Sequence, residues 1–217
     1  MEGIVSIDKI IKSSFFVIIV FSVAYGTAQK LPSRSDLHER ARANGGNLVI
    51  TDPSSGGLID YSSLKDLAHA SDLVVLGIAE DNRCGLTKSG SSIVTTYKVR
   101  ITQSLRGRAH KSDVVNVTIP GGEFAFPDGS VARINMPNYP RLVNGRSYVL
   151  FLSGDFDQND FSPTGGPRGV FLLQDDGKVR AHSRPDVHAL SSMNGMDHSA
   201  FMRHIQNAIK EDDDDRK

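Results

Sequence analysis

Alternating apolar and polar positions between residues 72 and 122 give the strongest structural pattern in the chain. A period of two places one set of side chains on a core face and the other toward water, so residues 93–105 predict a long, half-buried strand. A continuous apolar run at 72–79 and a second alternation at 115–119 predict strands before and after it. The core-facing set of the long strand is Ile93, Thr95, Tyr97, Val99, Ile101 and Leu105.

Shorter apolar segments predict further strands, at residues 131–136, 147–152, 169–173 and 178–181. The tight-turn sequences Asn144-Gly145 and Asp175-Asp176-Gly177 separate some of these, and the second makes a hairpin of its flanking strands. Six or seven strands with turns at short intervals predict a mainly β domain, arranged as a small closed or nearly closed antiparallel barrel. Closure would leave no bare sheet edge to recruit other strands.

Apolar residues at three-and-four spacing predict a helix on each side of the strands. Residues 58–70 form the leading helix, with Ser62 or Ser63 as its N-terminal cap. Residues 197–210 form the C-terminal helix, in which Asp197 caps the first turn. The acidic run that follows predicts a solvated tail rather than a weak calcium site, because consecutive acids on a free end are not a preorganised cage.

The polar region near the start of the chain predicts little structure that is tied to the rest. Residues 36–42 can form a short helix capped by Ser35, and residues 47–51 predict an isolated strand. We therefore interpret this region as a loosely attached arm.

The first residues have the three-part layout of a secretory signal peptide. Lys9 and Lys12 precede an apolar run at 15–25, and small residues lead to a cleavage position after Ala28. The alternative is a membrane anchor, but this run is shorter than the roughly 20 residues that a helix needs to cross a bilayer. We expect cleavage, an extracytoplasmic (periplasmic or secreted) mature protein, and no membrane span thereafter.

These patterns divide the chain into five segments. They are a signal peptide (1–28), a polar N-terminal arm (29–57), a β-barrel domain with its leading helix (58–185), a linker and C-terminal helix (186–210) and an acidic tail (211–217).

Composition excludes two classes of partner. The formal net charge is zero, which gives no electrostatic case for nucleic acid or anionic lipid. Tryptophan is absent and aromatic residues make up 7% of the chain, so the stacking platforms expected of single-strand or sugar binders are sparse as well.

Cys84 is the single cysteine, so no intramolecular disulfide can form. We interpret it as a small residue in the loop after Glu80. A reactive thiol or an intermolecular bridge is the alternative, but only Arg83 lies nearby to lower its pKa.

Several motifs occur together in a consistent order: residues 71–77 (SDLVVLG), 96–99 (TYKV) with 104–107 (SLRG), 117–122 (VTIPGG), and Asn144-Gly145 before 148–152 (YVLFL). The set resembles a group of uncharacterised exported bacterial β-domains. These are similar to oligonucleotide/oligosaccharide-binding (OB) barrels and remotely similar to the inhibitory domain of tissue inhibitors of metalloproteinases. The resemblance covers about residues 70–182 and implies an OB-like fold. It implies no activity, because the shared residues are turn glycines and core apolar residues.

The chain departs from that pattern in places. Ile101 stands at a valine of the second motif, Arg106 replaces its lysine, and residues 136–139 (MPNY) stand where a glycine-x-proline-x-aromatic segment is expected. The metalloproteinase inhibitors act through an N-terminal cysteine that is held by disulfides and chelates the catalytic zinc. Cys84 alone cannot make that arrangement.

Candidate catalytic chemistry is weak throughout the sequence. Among the seven histidines, His182 and His188 with Asp186 make the best local metal cluster, yet we interpret it as a solvated loop because nothing fixes its geometry. There is no H-E-x-x-H spacing and no G-x-S-x-G elbow, and the glycine-rich turns do not join a strand to a helix. Glu123 and Asp128 could form a carboxylate pair, but a glycosidase needs a defined gap between them. We predict no cofactor.

Three functional hypotheses follow. The first is a non-catalytic exported binding or accessory module, which meets a protein, peptide or envelope glycan through a barrel face or the loop at 120–139. The second is an extracellular protease inhibitor that presents residues 122–128, and the third is a metal-dependent hydrolase at the histidine cluster. The candidate interaction loop comprises Gly121, Gly122, Glu123, Phe124, Phe126, Asp128 and Tyr139.

Overall fold

The structure is a computed structural model that describes residues 36–53, 61–182 and 188–216. The predicted signal peptide, Ser35 and Asp186 lie outside these residues, as do residues 54–60 and Lys217. In the described ranges the chain forms four α-helices, ten strands and one 3₁₀ helix (Gly166–Gly169). The helices are α1 (Leu37–Ala43), α2 (Leu64–His69), α3 (His188–Ser191) and α4 (His198–Asp215). The strands are β1 (Asn47–Thr51), β2 (Leu73–Leu86), β3 (Ile93–Arg106), β4 (Val114–Pro120), β5 (Gly122–Ala125), β6 (Val131–Asn135), β7 (Ser147–Asp155), β8 (Asp160–Pro163), β9 (Val170–Leu173) and β10 (Val179–Ala181).

The strands form two sheets, which confirms the mainly β prediction and corrects the count of six or seven strands. The smaller sheet has the order β1-β6-β5, and the larger has the order β10-β9-β7-β2-β3-β4-β8. β8 pairs with β7 as well as with β4. In the series β7, β2, β3, β4 and β8, each strand therefore pairs with the next, and the last pairs with the first. Most neighbouring strands are antiparallel, as the predicted antiparallel arrangement requires, but β4 runs parallel to β8 and β1 runs parallel to β6.

The two longest strands, β2 and β3, form the centre of the larger sheet. β3 agrees closely with the predicted strand at 93–105. β2 continues to Leu86, well beyond the predicted end at residue 79, because register shifts such as the one between Ala79 and Asp81 let it bend and stay paired with β3. Cys84 therefore lies in a strand and not in the predicted loop.

Apolar side chains collect in three cores. The first lies among β2, β3, β4, β7 and β8 and includes Val99, Val117 and Leu150. The second packs other residues of the larger sheet, such as Phe151, against α2 and α4. The third joins α1 to the smaller sheet around Phe126. The first core thus fills one face of the larger sheet, and the second core covers only part of the opposite face.

Residues 36–53, the described part of the predicted N-terminal arm, are not loosely attached. β1 pairs along its whole length with β6, so it is not an isolated strand. Leu37 and Ala41 of α1 are fully buried in the third core. Asp36 caps α1 through its carboxylate, which accepts hydrogen bonds from the backbone amides of His38 and Glu39. Apolar burial and strand pairing together fix this region to the domain.

The C-terminal helix also differs from its prediction. α4 continues through the acidic run to Asp215, so residues 211–215 are helical and not a free tail; Asp212 is buried, and the other four acids are exposed. Asp197 precedes the helix but makes no side-chain capping bond; its carboxylate pairs with Lys178 instead. In the leading helix, Ser63, one of the two predicted caps, caps α2.

Candidate binding surface

A polar groove lies on the face of β2, β3 and β4 that points away from the first core. The alternation of β3 buries Tyr97 and Val99 and turns Thr96 and Lys98 outward, which is the local reason that a polar surface forms here. The groove has a volume of about 320 Å³. We call its lining the polar face, and it comprises Asp81, Asn82, Arg83, Thr96, Lys98 and Asn116.

Strand register arranges five of these residues in two adjacent rows across the sheet, whereas Asn82 is exposed but pairs with the inward-facing Tyr97 and belongs to neither row. Lys98 lies between Asp81 of β2 and Asn116 of β4. Thr96 lies between Arg83 and Thr118 in the next row. Residues directly opposite each other share a face and lie within contact distance. The polar face is therefore a compact array of hydrogen-bonding groups on a rigid scaffold.

Contacts within and beside the polar face pair some of its charges. The ammonium of Lys98 lies 3.5 Å from the carboxylate of Asp81, and Arg100 pairs with Glu80 beside it. Thr118 donates a hydrogen bond of 3.0 Å to Asp160. Because these ion pairs are exposed, they are weak and can open for a ligand.

Among the side chains of the polar face, Arg83 and Asn116 form the fewest hydrogen bonds and ion pairs with other described residues. Arg83 is exposed and forms no ion pair within the described part of the chain. Asn116 is half-buried on β4, which lies between β3 and β8. A guanidinium can donate two parallel hydrogen bonds, and a carboxamide can donate one hydrogen bond and accept another. These two groups are available for a polar ligand.

The predicted interaction loop is largely a β-hairpin. Residues 123–125, predicted as loop, belong to β5, which pairs with β6. Glu123 forms an ion pair with Arg133 across this hairpin. Phe126 is 6% exposed in the third core, where it stacks on His38 with ring centroids 4.2 Å apart, and Phe124 meets its edge.

Two glycines form the turn into that hairpin. Gly121 has φ +95° and Gly122 has φ +137°, which L side chains rarely adopt. A Cβ on Gly122 would lie 2.6 Å from Oγ1 of Thr95 and 2.9 Å from Sγ of Cys84. The glycines thus serve close packing of the hairpin on β2 and β3.

Asp128 and Tyr139, the remaining members of the predicted loop, also have internal partners. Asp128 accepts hydrogen bonds from the Ser130 hydroxyl and from Nε of Arg42, and His38 lies 3.0 Å away. These contacts, led by Ser130, hold the pKa of Asp128 far below its usual range. Tyr139 is half-buried against the first core, and burial raises its pKa. Glu123 and Asp128 each pair with a separate cation and do not act as a carboxylate pair.

The structure shows only part of the candidate metal cluster. His182 is half-buried, and this burial, with the nearby charge of Arg180, lowers its pKa to about 4. Asp186 and the side chain of His188 lie outside what the structure describes. In the described ranges, no group of three or more histidine, cysteine, aspartate or glutamate side chains converges as metal ligands do.

A buried ionic cluster that the sequence did not reveal centres on Asp212 of α4. Its carboxylate is 2% exposed and accepts from Nη1 of Arg106 at 2.6 Å. Nδ1 of His69 lies 2.5 Å from the same carboxylate, and Nε of Arg216 lies 3.1 Å away. The partners come from α2, β3 and α4 itself, so the cluster fixes the helix end to the sheet.

The His69–Asp212 pair has the geometry of an oriented base, but no nucleophile accompanies it. His69 hydrogen-bonds with Asp212 and Arg216, and with no hydroxyl or thiol in the described part of the chain. A nucleophile must lie within hydrogen-bond reach of its base. We therefore assign the pair to docking of α4.

Neither a search for membrane-spanning helices nor comparison with known proteins assigns a function to this chain. Within the described residues, no helix combines the length and the apolar character needed to cross a bilayer. The sequence matches no protein-family model, and a search of curated proteins finds no match.

Proposed function

We propose that this protein is a non-catalytic exported binding or accessory module, and that its ligand surface is the polar face. The observation that carries the proposal is the pair of cross-strand rows on β2, β3 and β4, which present amide, hydroxyl and charged groups on one rigid surface. The protease-inhibitor and metal-dependent hydrolase hypotheses stay predictions.

The order of strand pairing supports an OB-like barrel as the scaffold. Numbered along the chain, β2, β3, β4, β7 and β8 are the first to fifth strands of a ring with the order 1-2-3-5-4. Its third and fifth strands are parallel, and its other neighbours are antiparallel. OB barrels are five-stranded Greek-key barrels that bind polymers across the face of their second and third strands. In this chain those strands are β3 and β4, which carry half of the polar face.

The chemistry of the polar face favours an envelope glycan as ligand. All six lining side chains are polar, so the face lacks the apolar centre that protein–protein interfaces bury. It also lacks the aromatic rings on which nucleic-acid bases or sugar rings stack, so a glycan would be held here by hydrogen bonds alone. Sugar hydroxyls donate and accept hydrogen bonds, which matches an array of amides, hydroxyls and charged groups.

Export rests on the predicted signal peptide at residues 1–28. A single cysteine excludes intramolecular disulfides, so an exported mature chain would depend on its apolar cores for stability. An envelope glycan would meet the protein in that compartment.

An array of bacterial envelope glycans tests the proposal. The purified mature protein is expected to bind at least one glycan, and Asn116→Ala and Arg83→Ala each to weaken binding about tenfold, the effect of losing one or two hydrogen bonds. The matched controls are Asn207→Ala and Arg203→Ala on the exposed side of α4. Absence of binding to every glycan, or equal losses in face and control variants, would contradict the proposal.

A further inference from the structure

The edge of the smaller sheet at β1 is the least protected strand edge in the described part of the chain. Sheet edges are usually guarded by charges, by proline or by a covering segment, because their free amides and carbonyls recruit other strands. β10, at one end of the larger sheet, is covered, since the backbone of Val179 bonds with Gly195 and Met196. β5 carries the charged Glu123 and lies against β2 and β3. β1 carries no charge at all.

Backbone hydrogen bonds show which groups of β1 point outward. The carbonyl of Gly46 and the amide of Asp52 both bond to β6. Because successive residues of a strand point their backbone groups to opposite sides, the even-numbered residues face β6 and Asn47, Val49 and Thr51 face the open edge. The carbonyl of Asn47 accepts a hydrogen bond from the side chain of Asn44. The backbone groups of Val49 and Thr51 have no partner among the described residues.

Side-chain exposure agrees with an accessible edge. Val49 is 52% exposed, which makes it one of three large apolar residues that are exposed in the described ranges. Leu48 and Ile50 point the other way and pack in the third core with α1. One side of β1 is therefore packed in the third core, while its outer side and its edge are open among the described residues.

The sequence of β1 is self-complementary in an antiparallel register. With Val49 of one copy opposite Val49 of another, Asn47 lies opposite Thr51 and Leu48 lies opposite Ile50. Val49 then makes a reciprocal hydrogen-bonded pair across a two-fold axis, as isologous interfaces require. No like charges meet at any of these positions. Pro53 lacks an amide on the open side and ends the pairing there.

We infer that a second copy of this chain docks on β1, so that two smaller sheets join edge to edge through antiparallel β1 strands. This assignment goes beyond the proposed ligand surface and does not depend on it. The interface uses backbone hydrogen bonds of Val49 and Thr51 together with side-chain contact between the two Val49 residues.

Light scattering of the purified mature protein over a concentration series tests this inference. Wild type is expected to shift from monomer to dimer with rising concentration. Val49→Lys is expected to weaken the dimer at least tenfold, because two ammonium groups would meet at the two-fold axis. Val143→Lys is the matched control, since Val143 is 57% exposed and lies away from β1. A monomeric wild type, or equal behaviour of the two lysine variants, would overturn the inference.

Disulfide crosslinking gives a second readout if Val49→Lys does not fold. Paired residues in an antiparallel hydrogen-bonded position lie about 5.5 Å apart between Cα atoms, which a disulfide can span. In a Cys84→Ser background, Val49→Cys is expected to form a covalent dimer under mild oxidation and Val143→Cys is not. No crosslink at Val49, or equal crosslinking at both positions, would overturn the inference.

Discussion

Asp212 is the one carboxylate that is almost fully buried within the described residues. Burial alone would raise its pKa, but hydrogen bonds from Arg106 and His69 outweigh that effect and lower the pKa to about 2. The carboxylate is therefore ionised in the folded protein, and Arg106, itself 13% exposed, depends on it for charge compensation. A buried ion pair of this kind is costly to break from one side.

We predict that Asp212→Asn lowers the free energy of unfolding by about 3 kcal/mol, because it leaves Arg106 buried without a full counter-charge. Asp213→Asn is the control, since Asp213 is 56% exposed and lies 3.8 Å from Arg106. That variant is expected to change the free energy by less than about 1 kcal/mol. Urea denaturation measures both, and similar values for the two variants would count against a docked helix end.

The same carboxylate predicts a defined acid dependence. A pKa that is lower in the folded state than in the unfolded chain contributes stability above the unfolded value, and this contribution is lost as the pH falls through the folded value. For Asp212 the window runs from about pH 4 to about pH 2. Wild type is expected to lose about 2 kcal/mol more than Asp212→Asn across this window. Parallel losses in the two proteins would refute the assignment.

Gly122 offers a test of the packing between the hairpin and the larger sheet. Gly122→Ala is expected to destabilise the protein by about 2 kcal/mol, because φ is +137° and the new Cβ would lie too close to Thr95. Gly85→Ala is the matched control, since a Cβ there meets no atom within 4 Å and its φ is ordinary. Thermal unfolding checks both, and a stable Gly122→Ala would show that the turn is looser than the structure indicates.

At the scale of elements, side-chain contacts of Asp128 link the β5–β6 hairpin to α1. Arg42 and His38 are both on α1, whereas Asp128 follows β5. The contact is exposed and is therefore expected to govern local opening more than global stability.

We predict that Asp128→Ala increases hydrogen–deuterium exchange of the α1 amides severalfold, because α1 loses both side-chain anchors. Glu123→Ala is the control, since its ion pair with Arg133 lies within the hairpin. Unchanged exchange in Asp128→Ala, or an equal rise in the control, would show that burial of Leu37 and Ala41 alone holds the helix.

Elements whose signal is local could be predicted from the sequence, and those that depend on distant partners could not. β3 was predicted because its alternation runs through the whole strand. The second half of β2 was missed because its polar residues break the apolar run, although pairing with β3 keeps it extended. The last turns of α4 were missed because Arg106 and His69, which neutralise Asp212, are far away in the sequence.

The polar face, too, could be predicted only where its signal is local in the sequence. The outward set of β3, with Thr96 and Lys98, follows from alternation alone. Its neighbours on β2 and β4 follow only from the strand register, which three-dimensional pairing fixes. The proline-glycine-glycine turn suggested an exposed loop, but its glycines serve the close approach of a hairpin to β3.

At the scale of the whole molecule, separate parts of the larger sheet have separate tasks. One face of β2 and β3 builds the first core, and the opposite face carries the polar groove. The second core covers other residues of β2, β7 and β9 with α2 and α4. The smaller sheet leaves its β1 edge accessible. Ligand binding and self-association would thus use different surfaces, and neither requires the other.

The most direct test of the proposed function is amide chemical-shift mapping of the mature protein during titration with a soluble envelope glycan. The account predicts that the largest changes cluster on the polar face, at residues 81–83 of β2, at Thr96 and Lys98, and at Asn116, with small changes on the hairpin from Gly122 to Asp128. Changes centred on that hairpin, or no change at saturating glycan concentrations, would contradict the account.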